Sequence, residues 1–215
     1  MTQIILNKDK HEYTVDKVVY PSVSQILAEL GFINLRAVPT HALEEGRARG
    51  TEVHAICESF DRGILAVETI DERLVGYFKS WLLFVKEYKP EFLEIEKMVF
   101  SKSWGYCGCI DRVARINGKL YIVDIKTSQY KSPSHEIQTA LYKTAYEEFT
   151  KNKINGLKTG RWIIVLSPEG KMAKVVEHDK LTDFTTAISA VIVYNWKKRN
   201  KLTADLDYNA ELFSF

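Results

Sequence analysis

Cysteine is scarce in this sequence: three residues of 215, at 57, 107 and 109. An odd number, with two of the three only two positions apart, argues against a secreted disulfide framework. Long apolar runs are also missing. No unbroken aliphatic and aromatic stretch exceeds five residues, Trp81 to Val85 being one, whereas a bilayer span needs about 20. The opening Met1 to Lys8 lacks the basic-then-apolar layout of a signal peptide, so a cytoplasmic location is expected. Neither sign of charge dominates: 30 Lys and Arg face 28 Asp and Glu, a net +2. Bulk attraction to nucleic acid is therefore not on offer, and any such contact must be a local groove or a metal-bridged phosphate.

What is present is an ordinary globular composition, 46% hydrophobic and 27% charged, which excludes a disordered tail or a fibre. No repeat or Gly/Ser/Pro-rich linker divides the chain, and one domain over 1–215 is expected. Its parts are strands and helices over 1–90, a core sheet over 91–180 and a helix with a tail over 181–215. Strands are expected at 3–7, 12–20, 92–101, 106–116, 119–127, 161–167 and 172–177. Helices are expected near 25–31, 41–62, 71–88, 134–151 and 181–199. That order points to an α/β or α+β fold, a sheet flanked by helices.

Asn117-Gly118 between two strand-like runs is the strongest short-range hairpin signal. A two-residue loop there pairs Ile116 with Lys119 and, five steps on, sets Asp111 opposite Asp124. Two facing carboxylates repel, and a cation between them removes that cost. Lys126 falls on the face of Asp124. Val113, Leu120 and Ile122 share this face, and a carboxylate pair on an apolar surface points to a metal site or a shifted pKa. Oxygen ligands with an imidazole suit Mg²⁺ or Mn²⁺. A lysine beside them can orient water or offset charge on a phosphoryl oxygen, which is the chemistry of phosphodiester hydrolysis.

Several further residues are candidates. Glu58 lies one turn beyond His54 and is a candidate acceptor for its ring. Ser22 and Ser24 read as helix caps with a second role as phosphate contacts. Arg47 and Arg49 are candidate phosphate partners. Cys107-Gly108-Cys109 lacks a second thiol pair and reads as small strand residues rather than a soft-metal site. Lys197 to Lys201 reads as a solvated helix end.

Gly108-Cys109-Ile110-Asp111, Asp124-Ile125-Lys126-Thr127 and Gln138-x-x-x-Tyr142 together resemble the PD-(D/E)XK nuclease superfamily, specifically its RecB-like exonuclease branch. Gly50-Thr51-Glu52-Val53-His54 resembles that branch's metal-binding histidine segment. Tyr20-Pro21-Ser22-Val23-Ser24-Gln25-Ile26-Leu27 is similar to the start of phage and mitochondrial genome-maintenance exonucleases. The ordered set runs from about residue 20 to 145. The resemblance implies an αβββαβ core, restriction-endonuclease-like, with one or two Mg²⁺ (Mn²⁺ substituting) and DNA as substrate. Carried over by position, His54, Asp111, Asp124 and the Ile125 carbonyl would be metal ligands and Lys126 the catalytic lysine. Gln138 and Tyr142 would line the DNA groove, and Glu96 resembles a glutamate on the preceding strand, either supporting the site or lying on the sheet surface. Three cysteines cannot supply the four-cysteine iron–sulfur cluster of some members. No Gly-x-x-x-x-Gly-Lys-Ser/Thr helicase motif occurs, so a stand-alone module is implied, or one working with a single-strand-annealing, helicase or other recombination protein in the cytoplasm of a cell or phage host. The rival readings are a non-cleaving DNA-binding or assembly subunit and a structure-specific endonuclease.

Overall fold

The computed structural model describes residues 3–7, 12–33, 38–128, 132–150 and 159–203. His11, Lys151 and the tail from 204 lie outside the described residues. Residues 12–20, expected as one strand, form two, β2 (Glu12–Val15) and β3 (Val18–Tyr20). Asp16 and Lys17 reverse the chain between them with left-handed backbones, φ 48° and 69°. With β1 (Ile4–Asn7) they make a small antiparallel sheet, whose Tyr13 and Val15 pack on Cys107.

Three helices follow: α1 (Val23–Glu29), α2 (Thr40–Asp61) and α3 (Val75–Tyr88). Ser22 caps α1 in a full capping box with Gln25. The start of α3 falls four residues later than expected. Asp71 turns its carboxylate onto Arg73 at 2.7 Å and accepts the Leu74 N–H through its own carbonyl, which makes a turn of the stretch read as the first helical turn.

The main sheet holds β4 (Glu91–Ser101), β5 (Tyr106–Ile116), β6 (Lys119–Lys126), β7 (Thr159–Val165) and β8 (Lys174–Glu177), in that spatial order. All neighbours are antiparallel except β6 and β7. That parallel pair requires a crossover, supplied by α4 (Ser134–Thr150), and α5 (Leu181–Arg199) closes the chain. Helices cover both faces. On one, α1, α4 and α5 bury Val113, Leu120 and Ile122; on the other, α2 and α3 bury Ala114, Ile116, Val123 and Ile125. This is the α/β sandwich expected from the order of elements. Among the described residues no helix is long and apolar enough to cross a membrane.

Candidate active site

The hairpin register holds from Ile116↔Lys119 to Arg112↔Val123 and then stops, one step short of Asp111 and Asp124. Beyond that point β5 stays paired to β4, and β6 to β7. The two strands therefore part where the acids stand. Pro21 and Ser22 take the freed edge of β5: the Cys107 N–H donates to the Pro21 carbonyl at 2.9 Å. Within the fork the Asp111 carboxylate accepts the Ile125 N–H at 2.6 Å, replacing the lost strand partner.

The opposite neighbour of Asp111 also departs from a regular strand. Glu96 lies between the pairs Ile95↔Arg112 and Lys97↔Ile110, and its φ is 50°, a conformation costly for a residue with a Cβ. The alternation of β5 slips here too. Tyr106 and Ile110 join the α4 side with Val113, while Ala114 and Ile116 face α2 and α3.

From α2, His54 reaches the fork. Its Nε2 lies 3.0 Å from the Ile125 carbonyl and its Nδ1 3.7 Å from Asp111. An Nε2–H donated to that carbonyl leaves Nδ1 as the lone-pair nitrogen facing the acids. Ligand atoms of His54, Glu96 and Asp111 all lie within 4.8 Å of one another. Two carboxylates and an imidazole converging this closely fit a hard divalent cation.

The grouping differs from the expected ligand set in three places. Glu96 stands within the cluster. Asp124, 2% exposed, sits at the cleft wall with Lys126 Nζ 2.9 Å from its Oδ2. The Ile125 carbonyl faces the His54 ring instead of standing open. Glu58 departs as well: its carboxylate bonds Arg62 at 2.8 Å, one turn on, and not the His54 ring.

The remaining candidates divide. Ser22, Ser24, Gln138 and Tyr142 line the same cleft of about 160 Å³ as His54, Glu96, Asp111, Asp124 and Lys126. The Ser22 hydroxyl is engaged as the α1 cap. Gln138 donates to the Tyr142 hydroxyl at 3.1 Å, and the Tyr142 ring lies so close to Gly108 that a Cβ there would meet it at 2.6 Å. Arg47 is two turns before His54 on α2. It is 9% exposed, and its Nε and Nη2 have no hydrogen-bond partner among the described residues. Arg49 lies over the Tyr77 ring.

Burial sets the charge state. Glu96 is pushed up to about 7, first by desolvation and then by the Asp111 charge, with His54 and Arg112 opposing. Desolvation likewise pushes Asp124 up to about 6 against the pull of Lys126. Glu96, raised this way, stays partly protonated near neutrality, and a divalent cation would displace that proton.

Sequence reasoning missed three residues. Tyr13 reaches the cleft from β2, signalled only by its alternation with Val15. Arg112 bonds Glu96 at 3.1 Å and Asp61 at 2.7 Å, both guanidinium and Asp61 carboxylate being fully buried. Nothing in the local sequence marks Arg112, because its partners come from elements 16 and 51 residues away.

A cluster able to hold a divalent cation, with a buried ammonium group beside it, suits hydrolysis of phosphodiesters. The sequence match agrees. Residues 65–209, more than half of the chain, match the model of the PD-(D/E)XK nuclease superfamily, and the chain belongs to that family. Its coarse function is that of a hydrolytic nuclease. The matched span contains Glu96, Asp111, Asp124 and Lys126 and begins after His54. No curated protein matches the chain. Among solved structures it is similar to an alkaline exonuclease, LHK-Exo, from Laribacter hongkongensis, at 12% identity and TM-score 0.39, covering 86% of this chain and 95% of that one. A structure of LHK-Exo in complex with dAMP is similar at 13% identity and TM-score 0.33, with the same coverage. The family assignment rests on the sequence match alone.

Proposed function

We propose that the protein is a metal-dependent DNA exonuclease of the RecB-like branch, a single nuclease domain working in DNA recombination, repair or phage DNA processing. The observation that carries this reading is the convergence of His54, Glu96 and Asp111 at a strand fork beside the Asp124–Lys126 pair. Mg²⁺, with Mn²⁺ as substitute, would supply Lewis-acid activation of water and of the scissile phosphate.

The chain's own groups do the rest. His54, Glu96 and Asp111 would hold the ion, and Asp124 keeps the Lys126 ammonium at a fixed place 2.9 Å away. Lys126 orients the attacking water and offsets the charge that develops on the phosphoryl oxygens. Ser24, Gln138 and Tyr142 line the strand's path. Arg47, whose Nε and Nη2 have no hydrogen-bond partner among the described residues, takes a backbone phosphate. The RecB-like motifs support the exonuclease reading.

End-labelled linear and covalently closed circular DNA, each with Mg²⁺, Mn²⁺ or EDTA, test the proposal. Metal-dependent release of mononucleotides from linear DNA with circles untouched is the expected result. Nicked circles would make it an endonuclease. DNA binding without cleavage under either metal would make it a non-cleaving subunit.

A further inference from the structure

Glu96 holds a left-handed backbone in mid-strand, and a residue stays in such a conformation only where its surroundings impose it. The contact that can impose it comes from below the cluster. Arg112 Nη1 donates to Glu96 Oε1 at 3.1 Å and to the Asp111 carbonyl at 2.6 Å. One guanidinium thus grips both acids of the three-residue cluster, one by its side chain and the other by its backbone.

Arg112 is itself held from three directions. Its Nε donates to Asp61 Oδ2 at 2.7 Å, and its guanidinium lies 5.8 Å from the Trp81 ring centroid and 6.0 Å from that of Phe92. The other Asp61 oxygen accepts the Trp81 indole N–H at 3.0 Å. Side chains from α2, α3 and β4 therefore fix one cation beneath the fork. A fully buried ion pair of this kind gives little stability over apolar residues of the same volume, so stability does not account for it. Position does.

We propose that Arg112, clamped by Asp61, is a positioning residue that presents the Glu96 carboxylate to the divalent ion, and that the Asp61–Arg112 pair sets metal affinity rather than chemistry. This rests on the reading of the fork as a metal site. Neither residue lines the cleft.

Mn²⁺ titration of the full chain, followed by electron paramagnetic resonance and paired with melting curves, tests it. Arg112→Gln should raise the Mn²⁺ half-saturation at least tenfold. Arg112→Lys, which keeps a charge for Glu96 but not the fork of donors, should recover part of the loss. In a Glu96→Gln background, Arg112→Gln should add less than threefold, because the group it positions is gone. Should Arg112→Gln leave Asp61 uncompensated and fail to fold, Asp61→Asn/Arg112→Gln removes both charges and should show the same tenfold shift. A lowered melting temperature with unchanged Mn²⁺ half-saturation would overturn the proposal, as would equal weakening with and without Glu96. Wild-type protein that binds Mn²⁺ yet cleaves no DNA overturns the exonuclease reading, while the Mn²⁺ shifts still decide the positioning role. Absence of Mn²⁺ binding by the wild type overturns both.

Discussion

The two ends of the β5–β6 hairpin obey different rules. At the closed end, Asn117 and Gly118 adopt left-handed backbones, φ 48° and 77°, and five residue pairs follow in unbroken register. Apolar and aromatic side chains pack there, the Tyr121 ring tilted 36° to that of Trp162 with centroids 4.2 Å apart, while Arg115 and Lys119 stand exposed. At the open end the ladder stops, a carboxylate replaces a strand carbonyl, and acids, an imidazole and an ammonium crowd a buried cleft. The closed end is organised by neighbours in sequence. The open end is organised by α1, α2, β4 and α4 arriving from elsewhere, and it retains repulsion that a bound ion would relieve.

The sharpest break in that comparison is Lys126→Ala. It should leave the closed end and the ligands in place while Mg²⁺-dependent cleavage falls by about 10²–10³, the size of ~2.7–4 kcal/mol seen for preorganised donors. DNA affinity in Ca²⁺ should change less than tenfold. Cleavage at the wild-type rate would make Lys126 a wall residue and nothing more.

Metal linkage comes next. A hundredfold excess of Mn²⁺ over Kd should stabilise the protein by about 2.7 kcal/mol, read as a rise in melting temperature. Asp111→Asn keeps an oxygen for the Ile125 N–H and should lose most of the rise. Asp124→Asn, outside the tight group of three, should lose less. Equal rises in all three proteins would place the ion elsewhere.

A matched pair of glycines compares the ends directly. A Cβ at Gly160 would meet the Tyr121 ring at 2.4 Å, and one at Gly108 the Tyr142 ring at 2.6 Å. Either alanine should cost about 1–3 kcal/mol of stability through overpacking. Only Gly108→Ala should also slow cleavage, because Tyr142 and its partner Gln138 line the cleft. Equal activity in the two variants would detach Tyr142 from the reaction.

The smallest effect is in pH. Glu96 and Asp124 are raised in the fold, to about 7 and about 6, so the metal-free folded state binds protons more tightly than the unfolded chain. Their contribution to stability is present below the ordinary carboxylate range and is lost as pH rises toward 7. Melting temperature without metal should fall modestly from pH 5 to 8, while Mn²⁺ affinity rises over the same window. A flat Mn²⁺ affinity would show that no raised carboxyl takes part in binding.

Much of this was legible in the residues, unevenly. The hairpin register followed from Asn117-Gly118, because a two-residue turn fixes pairing by covalent geometry. The family motifs single out Asp111, Asp124 and Lys126, whereas the register that would set the two acids opposite each other stops one step short of them. The strand over 12–20 was misjudged because Asp16-Lys17 carries no glycine, and the left-handed turn there is visible only in the fold. Helical spacing offers Glu58 either to His54 or to solvent, and Arg62 competes at the same spacing with the opposite charge.

By itself the sequence determined the order of elements, the turn that joins β5 to β6 and the residue types able to bind a hard cation. Those depend on short-range sterics and on chemistry each residue carries with it. Only the tertiary structure decided where the ladder stops, that Glu96 turns into the acid cluster, and that Arg112 is buried with Asp61 instead of solvated. Each of these is a contest between partners distant in the chain. The outcome depends on which one arrives within bonding distance once both faces of the sheet are covered.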